Sequence, residues 1–226
     1  MSLRVLITGG AGYLGGVLVR HLLEQGYRVT VLDNLMYHQN QTGLFQYCYH
    51  EDFSFVSGDV RDEALVKDLV AQHDVLIPLA AIVGVPICER DPWLAEAINF
   101  EAVSLLNRLR SPQQMVVFPS TNSGYGIMRG DTPCTEETPL EPISLYGRTK
   151  VRAEALLLDS PNTVCLRLAT VFGVSQRMRM DLLVNDFTYR AVRDRFILLY
   201  EAHFKRSYVH IEDVARAFCF CIVHFD

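Results

Sequence analysis

A short apolar segment that leads directly into three spaced glycines constrains the fold of this chain more than any other feature. Residues 4–8, Arg-Val-Leu-Ile-Thr, have the composition of a buried strand, and Gly9, Gly12 and Gly15 follow them. Apolar residues then recur at helical spacing up to Gly26, which suits the C-terminus of a helix. A strand, a tight glycine turn and a helix N-terminus together form a cradle for a pyrophosphate group. A tight turn that holds no ligand is the alternative interpretation.

An acidic residue at the end of the second predicted strand indicates which dinucleotide the turn would hold. Asp33 closes the segment 28–33, and a carboxylate there accepts hydrogen bonds from the adenosine ribose and repels a 2′-phosphate. The sequence therefore predicts NAD rather than NADP, although Asp33 could instead cap a helix or a turn. Gly58-Asp59-Val60 follows the third predicted strand and is expected at the adenine end, where Asp59 could equally be an ordinary turn residue.

Strands and helices alternate along most of the chain. Predicted strands lie at 4–8, 28–33, 53–57, 74–79, 114–119 and 163–168, and predicted helices follow the glycine turn and lie at 62–72, 92–109 and 144–158. This alternation predicts an α/β fold, a Rossmann-type doubly wound parallel sheet with helices on both faces. The segment 34–52 has no clear period and is predicted to be a loop.

Composition excludes several classes of function. The net charge is −5 and there is no basic stripe, which disfavours nucleic-acid binding. No apolar run approaches the ~20 residues that span a bilayer, and the first residues are expected to form a strand rather than a signal peptide. The six scattered cysteines are expected to be reduced thiols rather than disulfides or zinc ligands. We therefore expect a cytoplasmic protein without a metal or a membrane partner.

A tyrosine and a lysine four residues apart indicate acid–base chemistry. Tyr146 and Lys150 lie in a predicted helix and therefore share one face. At ~4 Å and an effective dielectric of ~20, an ammonium group would lower the pKa of the phenol by roughly three units, solvent aside. That shift would make Tyr146 a general base. The same spacing also occurs on solvated helix faces.

A cluster of hydroxyl groups lies just past the carboxyl end of a predicted strand. This segment, 120–126, reads Ser-Thr-Asn-Ser-Gly-Tyr-Gly, and ligands bind at that edge of an open parallel sheet. Thr121 could donate to a substrate oxygen and help pass its proton to Tyr146. An ordinary Ser/Thr turn is the alternative.

The pattern changes beyond Gly173, where a polar loop that carries arginines precedes a predicted helix at 181–192 and a predicted strand at 196–200. We therefore predict two parts in the chain. The first is an NAD-binding domain with the catalytic helix, 1–173, and the second is an incomplete substrate-binding region, 174–226, whose segment 206–226 returns to the first domain.

Jointly, these motifs resemble the extended short-chain dehydrogenase/reductase family, the NAD-dependent nucleotide-sugar epimerases and dehydratases. The resemblance extends over nearly the whole chain. It is carried by 8–15, 33–35, 59–62, 80–81, Asn99, 120–126, 146–150, 167–173 and 206–215. Three further segments, 78–88, 121–126 and 177–186, resemble a subgroup from bacterial surface-polysaccharide gene clusters that includes GDP-heptose 4-dehydrogenases.

The resemblance implies hydride transfer from a sugar carbon, most often C4, to NAD⁺. Tyr146 matches the family's base, Lys150 the residue that lowers its pKa and holds the nicotinamide ribose, Thr121 the active-site Ser/Thr, and Arg206 the arginine that grips the substrate diphosphate. The implied cofactor contacts are Gly9, Gly12, Tyr13, Leu14, Gly15, Asp33, Asn34, Asp59, Val60, Leu79, Ala80, Ala81, Asn99, Tyr146 and Lys150. The implied substrate contacts are Thr121, Asn122, Ser123, Thr170, Arg179, Asn185 and Arg206.

The chain also departs from the family pattern. Dehydratases of the family carry Asp-Glu after the threonine, whereas Asn122 and Ser123 stand here, so we do not expect dehydration. Leu79 replaces a histidine of many members, which puts little in doubt. Arg177 and Arg179 could touch phosphate or lie in a solvated loop. Members usually continue further, so the substrate lobe is expected to be partial.

Several alternatives stay open from the sequence. The enzyme could be an epimerase or a simple 4-dehydrogenase, and the chain could instead be a non-catalytic NAD(H)-binding sensor or a truncated inactive member. The expected partner is a nucleotide-sugar substrate. By family analogy, the helices at 93–109 and 144–158 could pair in a homodimer with a four-helix interface.

Overall fold

Apolar strands that follow one another through helical crossovers form a single parallel sheet. The protein is represented by a computed structural model, which describes residues 2–37, 41–127, 133–200, 202–203 and 205–225, with only the backbone at 41 and 42. The strands are β1 (Arg4–Thr8), β2 (Arg28–Asp33), β3 (Phe53–Ser57), β4 (Val75–Pro78), β5 (Met115–Thr121) and β6 (Thr163–Leu168). Their spatial order is β3-β2-β1-β4-β5-β6, with every pair parallel. The predicted doubly wound sheet is confirmed.

The helices cover both faces of this sheet and confirm the predicted alternation. They are α1 (Tyr13–Glu24), α2 (Glu63–Val70), α3 (Val85–Arg90), α4 (Pro92–Glu96), α5 (Ala102–Leu109) and α6 (Leu145–Leu158). Side chains cap several N-termini, since Asp62 accepts a hydrogen bond from the Leu65 amide and Ser144 accepts one from the Gly147 amide. A π-helical turn, Ala97–Glu101, joins α4 to α5.

Two apolar clusters fill the layers on either side of the sheet. One lies between α1 and the sheet and contains Val5, Ile7, Leu18 and Leu22, which are fully buried. The other lies on the opposite face and includes Leu6, Leu76, Phe118 and Leu157. Consecutive residues of β1 thus enter opposite clusters, as the two-residue period of a strand buried on both faces requires.

The carboxyl-terminal part of the chain forms a small second sheet and a helix that returns to α1. Strand β7 (Thr170–Phe172) pairs in parallel with β8 (Tyr208–His210), and the remaining helices are α7 (Leu183–Arg193) and α8 (Ile211–Val223). Glu212 at the start of α8 accepts hydrogen bonds from Arg20 at 2.6 and 2.7 Å, and it contacts His21 Nε2 at 2.6 Å. The division of the chain at residue 173 stays a prediction.

The sequence predictions fail where local pattern does not decide structure. Residues 196–200 form no strand, because their side chains are largely exposed and the described chain offers them no partner strand. The predicted loop 34–52 contains a 3₁₀ helix, Gln41–Tyr47. Helix α3 and the strands β7 and β8 were not predicted, since segments of three to six residues are too short to show a period.

A buried carboxylate connects α6 to the two strands beside it. Glu154 is 2% exposed, and its Oε1 accepts a hydrogen bond from Arg167 Nε of β6 at 2.7 Å. The hydroxyl of Ser120 in β5 donates to the other carboxylate oxygen. Arg167 also donates to the Tyr125 hydroxyl at 3.1 Å and to the carbonyl of Glu136 at 2.9 Å. This network fixes the end of β5 against the helix that carries Tyr146 and Lys150.

We expect Glu154→Ala to lower the free energy of unfolding by about 1–3 kcal/mol, because it leaves the partly buried guanidinium of Arg167 without its counter-ion. Urea unfolding followed by circular dichroism measures the loss. The matched control is Glu63→Ala, which breaks the exposed pair with Arg108 and should cost about 0–1 kcal/mol. Equal losses in the two variants would contradict this interpretation of the network.

Candidate active site

The main cavity of the described chain opens at the carboxyl ends of the parallel strands. Its volume is about 970 Å³, and it is lined by the glycine turn, the loops after β2, β4 and β5, and residues 177–182. The sheet order reverses between β1 and β4, so the crossovers from these neighbouring strands leave in opposite directions and open a crevice there. The fold therefore places the predicted phosphate cradle and the predicted hydroxyl cluster in one cavity.

The glycine turn has the geometry of a dinucleotide cradle. Gly9 has a φ of +72°, and a Cβ at this position would meet the backbone of Ala80 at 2.6 Å. A Cβ on Gly15 would meet the Cα of Gly10 at 2.5 Å, so any side chain would push helix and turn apart. No described side chain caps the N-terminus of α1, which begins at Tyr13. Its first amide groups and the positive end of the helix dipole can therefore receive an anion.

The carboxylate of Asp33 is oriented by the backbone of the same cavity wall. Its two oxygens accept hydrogen bonds from the amides of Ala11 at 3.0 Å and Leu35 at 2.8 Å. Asn34 also lines the cavity. Each carboxylate oxygen keeps a further lone pair, so Asp33 can still accept from ribose hydroxyl groups. These residues fit the adenosine half of a dinucleotide.

Asp59 forms its hydrogen bonds within its own turn and with Asn34, and its contact with the cofactor stays a prediction. Gly58 and Val60 line the cavity, whereas Asp59 does not. Its carboxylate is bound by Arg61 Nε at 2.8 Å, and the hydrogen bond from Arg61 lowers the pKa of Asp59 to about 2. The side chain of Asn34 also donates to it, at 3.3 Å. Asp59 thus organises the turn after β3, the alternative that its sequence left open.

Tyr146, Lys150 and Thr121 meet on the opposite wall of the cavity. Tyr146 and Lys150 lie one turn apart on α6, and Thr121 ends β5. Lys150 is 3% exposed, and its Nζ lies 3.7 Å from the ring centroid of Phe118. Thr121 accepts a hydrogen bond from the Ser123 amide at 3.1 Å, and its hydroxyl also interacts with that of Tyr146. The structure therefore brings the three predicted catalytic groups together.

The predicted effect of Lys150 on the pKa of Tyr146 is wrong. Burial raises the pKa of Tyr146 to about 12, and the groups that lower it are the charge of Arg179 and the hydroxyl of Thr121. Burial also lowers the pKa of Lys150 to about 7, although the nearby charges of Cys165 and Glu154 act to raise it. The sequence argument counted the attraction between two charges but not the cost of removing each from water.

Two of the predicted contact residues form hydrogen bonds inside the protein. Asn99, in the π-helical turn, is 1% exposed and exchanges hydrogen bonds with the backbone of Ile82 at 2.8 and 3.0 Å. Asn185 accepts from the amide of Gly173 at 3.0 Å and donates to the Tyr13 hydroxyl at 3.1 Å. Neither side chain lines the cavity, and both hold loops beside it, so their contacts with a ligand stay a prediction.

The other predicted residues lie on the cavity wall. Tyr13 is 7% exposed, and its hydroxyl donates to the carbonyl of Gly173 at 2.7 Å. Arg179 is held by the carboxylate of Asp181, and Arg206 is exposed at the rim. The remaining predicted residues on the wall are Leu14, Leu79, Ala80, Ala81, Asn122, Ser123 and Thr170.

The sequence missed part of the wall. Residues 82–87 after β4, Tyr37 after β2 and Met178 and Met180 after β7 all line the cavity. The loop after β4 lies at the reversal of the sheet order, so its position follows from the topology. The two methionines lie in 177–186, one of the segments that carry the subgroup resemblance, whereas no local motif marks Tyr37.

The described residues contain neither a cluster of metal ligands nor a membrane-spanning helix. No group of three or more His, Cys, Asp or Glu side chains could hold a metal ion there. Within the same residues, no helix is long and apolar enough to cross a membrane. None of the six cysteines forms a disulfide within the part of the chain that the structure describes.

The family model of the NAD-dependent epimerase/dehydratase family matches residues 5–226. The low-salt glycan biosynthesis protein Agl12 of Haloferax volcanii is 32% identical over 223 residues, 94% of this chain and 71% of that protein. A UDP-glucose 4-epimerase of Lactobacillus helveticus is 33% identical over 182 residues, 76% of this chain and 53% of the epimerase. The crystal structure of DesIV, a dTDP-glucose 4,6-dehydratase from Streptomyces venezuelae with NAD bound, superimposes with a TM-score of 0.86 at 26% identity, over 97% of this chain and 72% of that one.

The shifted pKa of Lys150 makes stability depend on pH. Between a folded-state pKa of about 7 and an unfolded-state value of about 10.4, the folded chain binds fewer protons, so stability rises with pH across that range. From about pH 7 to about pH 9.5 we expect the wild type to gain roughly 2–3 kcal/mol relative to Lys150→Met, measured by urea unfolding at each pH.

A matched control separates this effect from general pH effects. Lys67 is exposed on α2, and Lys67→Met should follow the wild type at every pH. If the stability of Lys150→Met changed with pH as that of the wild type does, the lowered pKa of Lys150 would be wrong.

Proposed function

The chain belongs to the NAD-dependent epimerase/dehydratase family, and from this we propose that it is an NAD-dependent oxidoreductase that acts on a nucleotide sugar. We further propose that hydride leaves the C4 carbon of the sugar, in an epimerase or 4-dehydrogenase reaction that supplies a precursor of surface polysaccharide. The observation that supports this most is the meeting of Tyr146, Lys150 and Thr121 in the cavity that also contains the glycine turn. The glycan biosynthesis protein and the 4-epimerase among its relatives support the substrate class.

The described residues fit the proposed cofactor at both ends. The uncapped N-terminus of α1 and the close approach of Gly9 to Ala80 fit a pyrophosphate group, and Asp33 fits an unphosphorylated ribose. Lys150 on the far wall would hold the second ribose. A bound NAD supplies a nicotinamide ring that accepts the hydride from the sugar carbon.

Tyr146 and Thr121 would handle the proton of the sugar hydroxyl. Oxidation of a carbinol requires that the hydroxyl lose its proton as the carbon loses hydride, and Tyr146 in its phenolate form would receive that proton, with Thr121 donating a hydrogen bond to the same oxygen. Because burial holds the pKa of Tyr146 near 12, the phenol is protonated at neutral pH. This is the form that returns a proton when a keto sugar is reduced again.

Arg206 would bind the substrate diphosphate at the rim. Its guanidinium offers a fork of donors that matches phosphate oxygens, and it is exposed beside the cavity. Asn122 and Ser123 stand beside Thr121, where the resemblance places the acid pair of dehydratases, so we propose that the keto sugar is not dehydrated. The heptose subgroup stays a proposal for the sugar itself.

We expect Tyr146→Phe to reduce turnover by at least about a hundredfold, because the variant keeps the ring but loses the group that exchanges the proton. Turnover is followed by NMR of the sugar with UDP-, GDP- and dTDP-linked hexoses and heptoses, and bound NAD(H) is measured after acid release. The matched control is Tyr189→Phe, on α7 outside the cavity. Full activity in Tyr146→Phe would contradict the mechanism.

The same experiment separates the remaining candidates. A C4-inverted sugar identifies an epimerase, and a keto sugar with reduced cofactor identifies a 4-dehydrogenase. A loss of water would overturn the role given to Asn122 and Ser123. Tight NAD(H) binding by the wild type with no turnover of any nucleotide sugar would instead favour the sensor, the second candidate.

We also propose a homodimer through the helices at 93–109 and 144–158. Trp93 is 85% exposed and Leu158 is 52% exposed, although both side chains are apolar. Light scattering should give twice the mass of one chain, and Trp93→Asp should reduce it to that of one chain, because the change places a charge in the interface. A monomeric wild type would contradict the proposal.

A further inference from the structure

Arg177, next to Met178, is a charged side chain of the cavity wall that the proposed function does not use. Arg177 lies in the segment 174–182 and is half-buried. Within the described part of the chain its guanidinium forms no hydrogen bond and no ion pair, and it lies 4.3 Å from the ring of Tyr37. Arg179, two residues on, is paired with Asp181. Arg177 therefore offers its hydrogen-bond donors to the cavity.

The contact between Arg177 and Tyr37 joins two walls of the cavity. Tyr37 follows Asp33 by four residues, in the loop that begins at the end of β2. Arg177 comes from the segment after β7, which belongs to the other sheet. The charge of Asp33 also acts on Arg177. The pair thus lies at the end of the cavity that fits the adenosine ribose.

The segment that carries Arg177 is anchored on the glycine turn and its helix. The hydroxyl of Ser175, which is 6% exposed, donates to the carbonyl of Tyr13 at 2.7 Å. The side chain of Gln176 packs over Gly16 and Gly43 so closely that a Cβ on either glycine would lie 3.0 or 2.8 Å from it. These contacts hold Arg177 opposite the N-terminus of α1.

A guanidinium that is half-buried and unpaired costs folding free energy unless an anion accepts its hydrogen bonds. Burial lowers the pKa of Arg177, which reflects the cost of keeping its charge out of water. Stacking on an aromatic face fixes the plane of the guanidinium but leaves its edge free to donate. The nearest anion that the proposed function brings to this end of the cavity is the phosphate beside the adenosine.

We propose that Arg177, held by Tyr37, binds the adenosine-side phosphate of the dinucleotide across the cavity from α1 and so slows the exchange of the cofactor. The inference rests on the proposed function, because it requires a dinucleotide in this cavity. The substrate diphosphate is the other anion that could use the same donors, and Arg206 at the rim already fits it.

The test measures how fast NADH leaves the full chain. NADH fluorescence is followed after dilution into excess NAD⁺, for the wild type and for Arg177→Gln. We expect dissociation to become about tenfold faster or more, the equivalent of one lost charge-assisted hydrogen bond. Dissociation from the wild type should accelerate with ionic strength, and that from Arg177→Gln should respond less, because a phosphate contact is screened by salt.

Three further variants show whether the effect belongs to this pair. Tyr37→Phe keeps the aromatic face and should behave as the wild type, whereas Tyr37→Leu should release NADH faster. Arg193→Gln is the matched control, because Arg193 stacks on Tyr189 at 4.7 Å on α7, outside the cavity, and its loss should not change release. Equal rates for Tyr37→Leu and Tyr37→Phe would overturn the part given to Tyr37.

The outcomes separate this inference from the proposed function. An unchanged rate of NADH release in a folded Arg177→Gln would overturn the inference while NAD binding stood. Weaker binding of UDP, GDP or dTDP in this variant, with unchanged NADH release, would assign Arg177 to the substrate and also overturn it. A wild type that binds no NADH would contradict the proposed function itself.

Discussion

The close approach of the glycine turn to the loop after β4 is the constraint on which the rest of the structure depends. The amide of Gly9 donates to the carbonyl of Leu32 at 2.8 Å, while a Cβ on Gly9 would collide with the backbone of Ala80. The turn is therefore pressed between the ends of β2 and β4 at the point where the strand order reverses. A ligand on the N-terminus of α1 is bounded on one side by Asp33 and on the other by the loop that leads to α3. Every other part of the site is placed relative to this turn.

The hydroxyl of Tyr13 is one link between that turn and the carboxyl-terminal part of the chain. Tyr13 donates to the carbonyl of Gly173 and accepts from Asn185, and the amide of Gly173 is held in turn by Asn185. These three residues form a closed set of hydrogen bonds at the edge of the cavity, largely out of water, where each lost bond would leave an unsatisfied group. The segment that carries Arg177 and Arg179 starts from this set. Its position over the cavity thus depends on a residue of the glycine turn, far away in sequence.

The sequence predicted which residues the strand ends bring to the cavity, but it did not reveal which side chains form hydrogen bonds inside the protein. Gly9, Asp33 and Thr121 lie at the carboxyl ends of strands whose apolar patterns are clear, so the topology alone brings them to one edge. Asn99 and Asn185 match family positions. In the structure their side-chain amides form hydrogen bonds with backbone groups, and the sequence spacing of these residues does not identify those partners. Residues 196–200 have the composition of a strand, but a strand also needs a neighbour with free backbone groups.

The pKa values of Tyr146 and Lys150 show why the distance between two charges in the sequence was not enough to predict them. One helical turn separates Tyr146 from Lys150. The attraction between a phenolate and an ammonium group would favour both charged forms if neither group lost its hydration. Burial penalises each charged form separately, so it raises the pKa of the phenol to about 12 and lowers that of the amine to about 7. Both groups are then mostly or partly neutral at the pH where the protein would work. Burial therefore outweighs the attraction between the two charges, and the spacing of two residues on a helix does not by itself give the direction of a pKa shift.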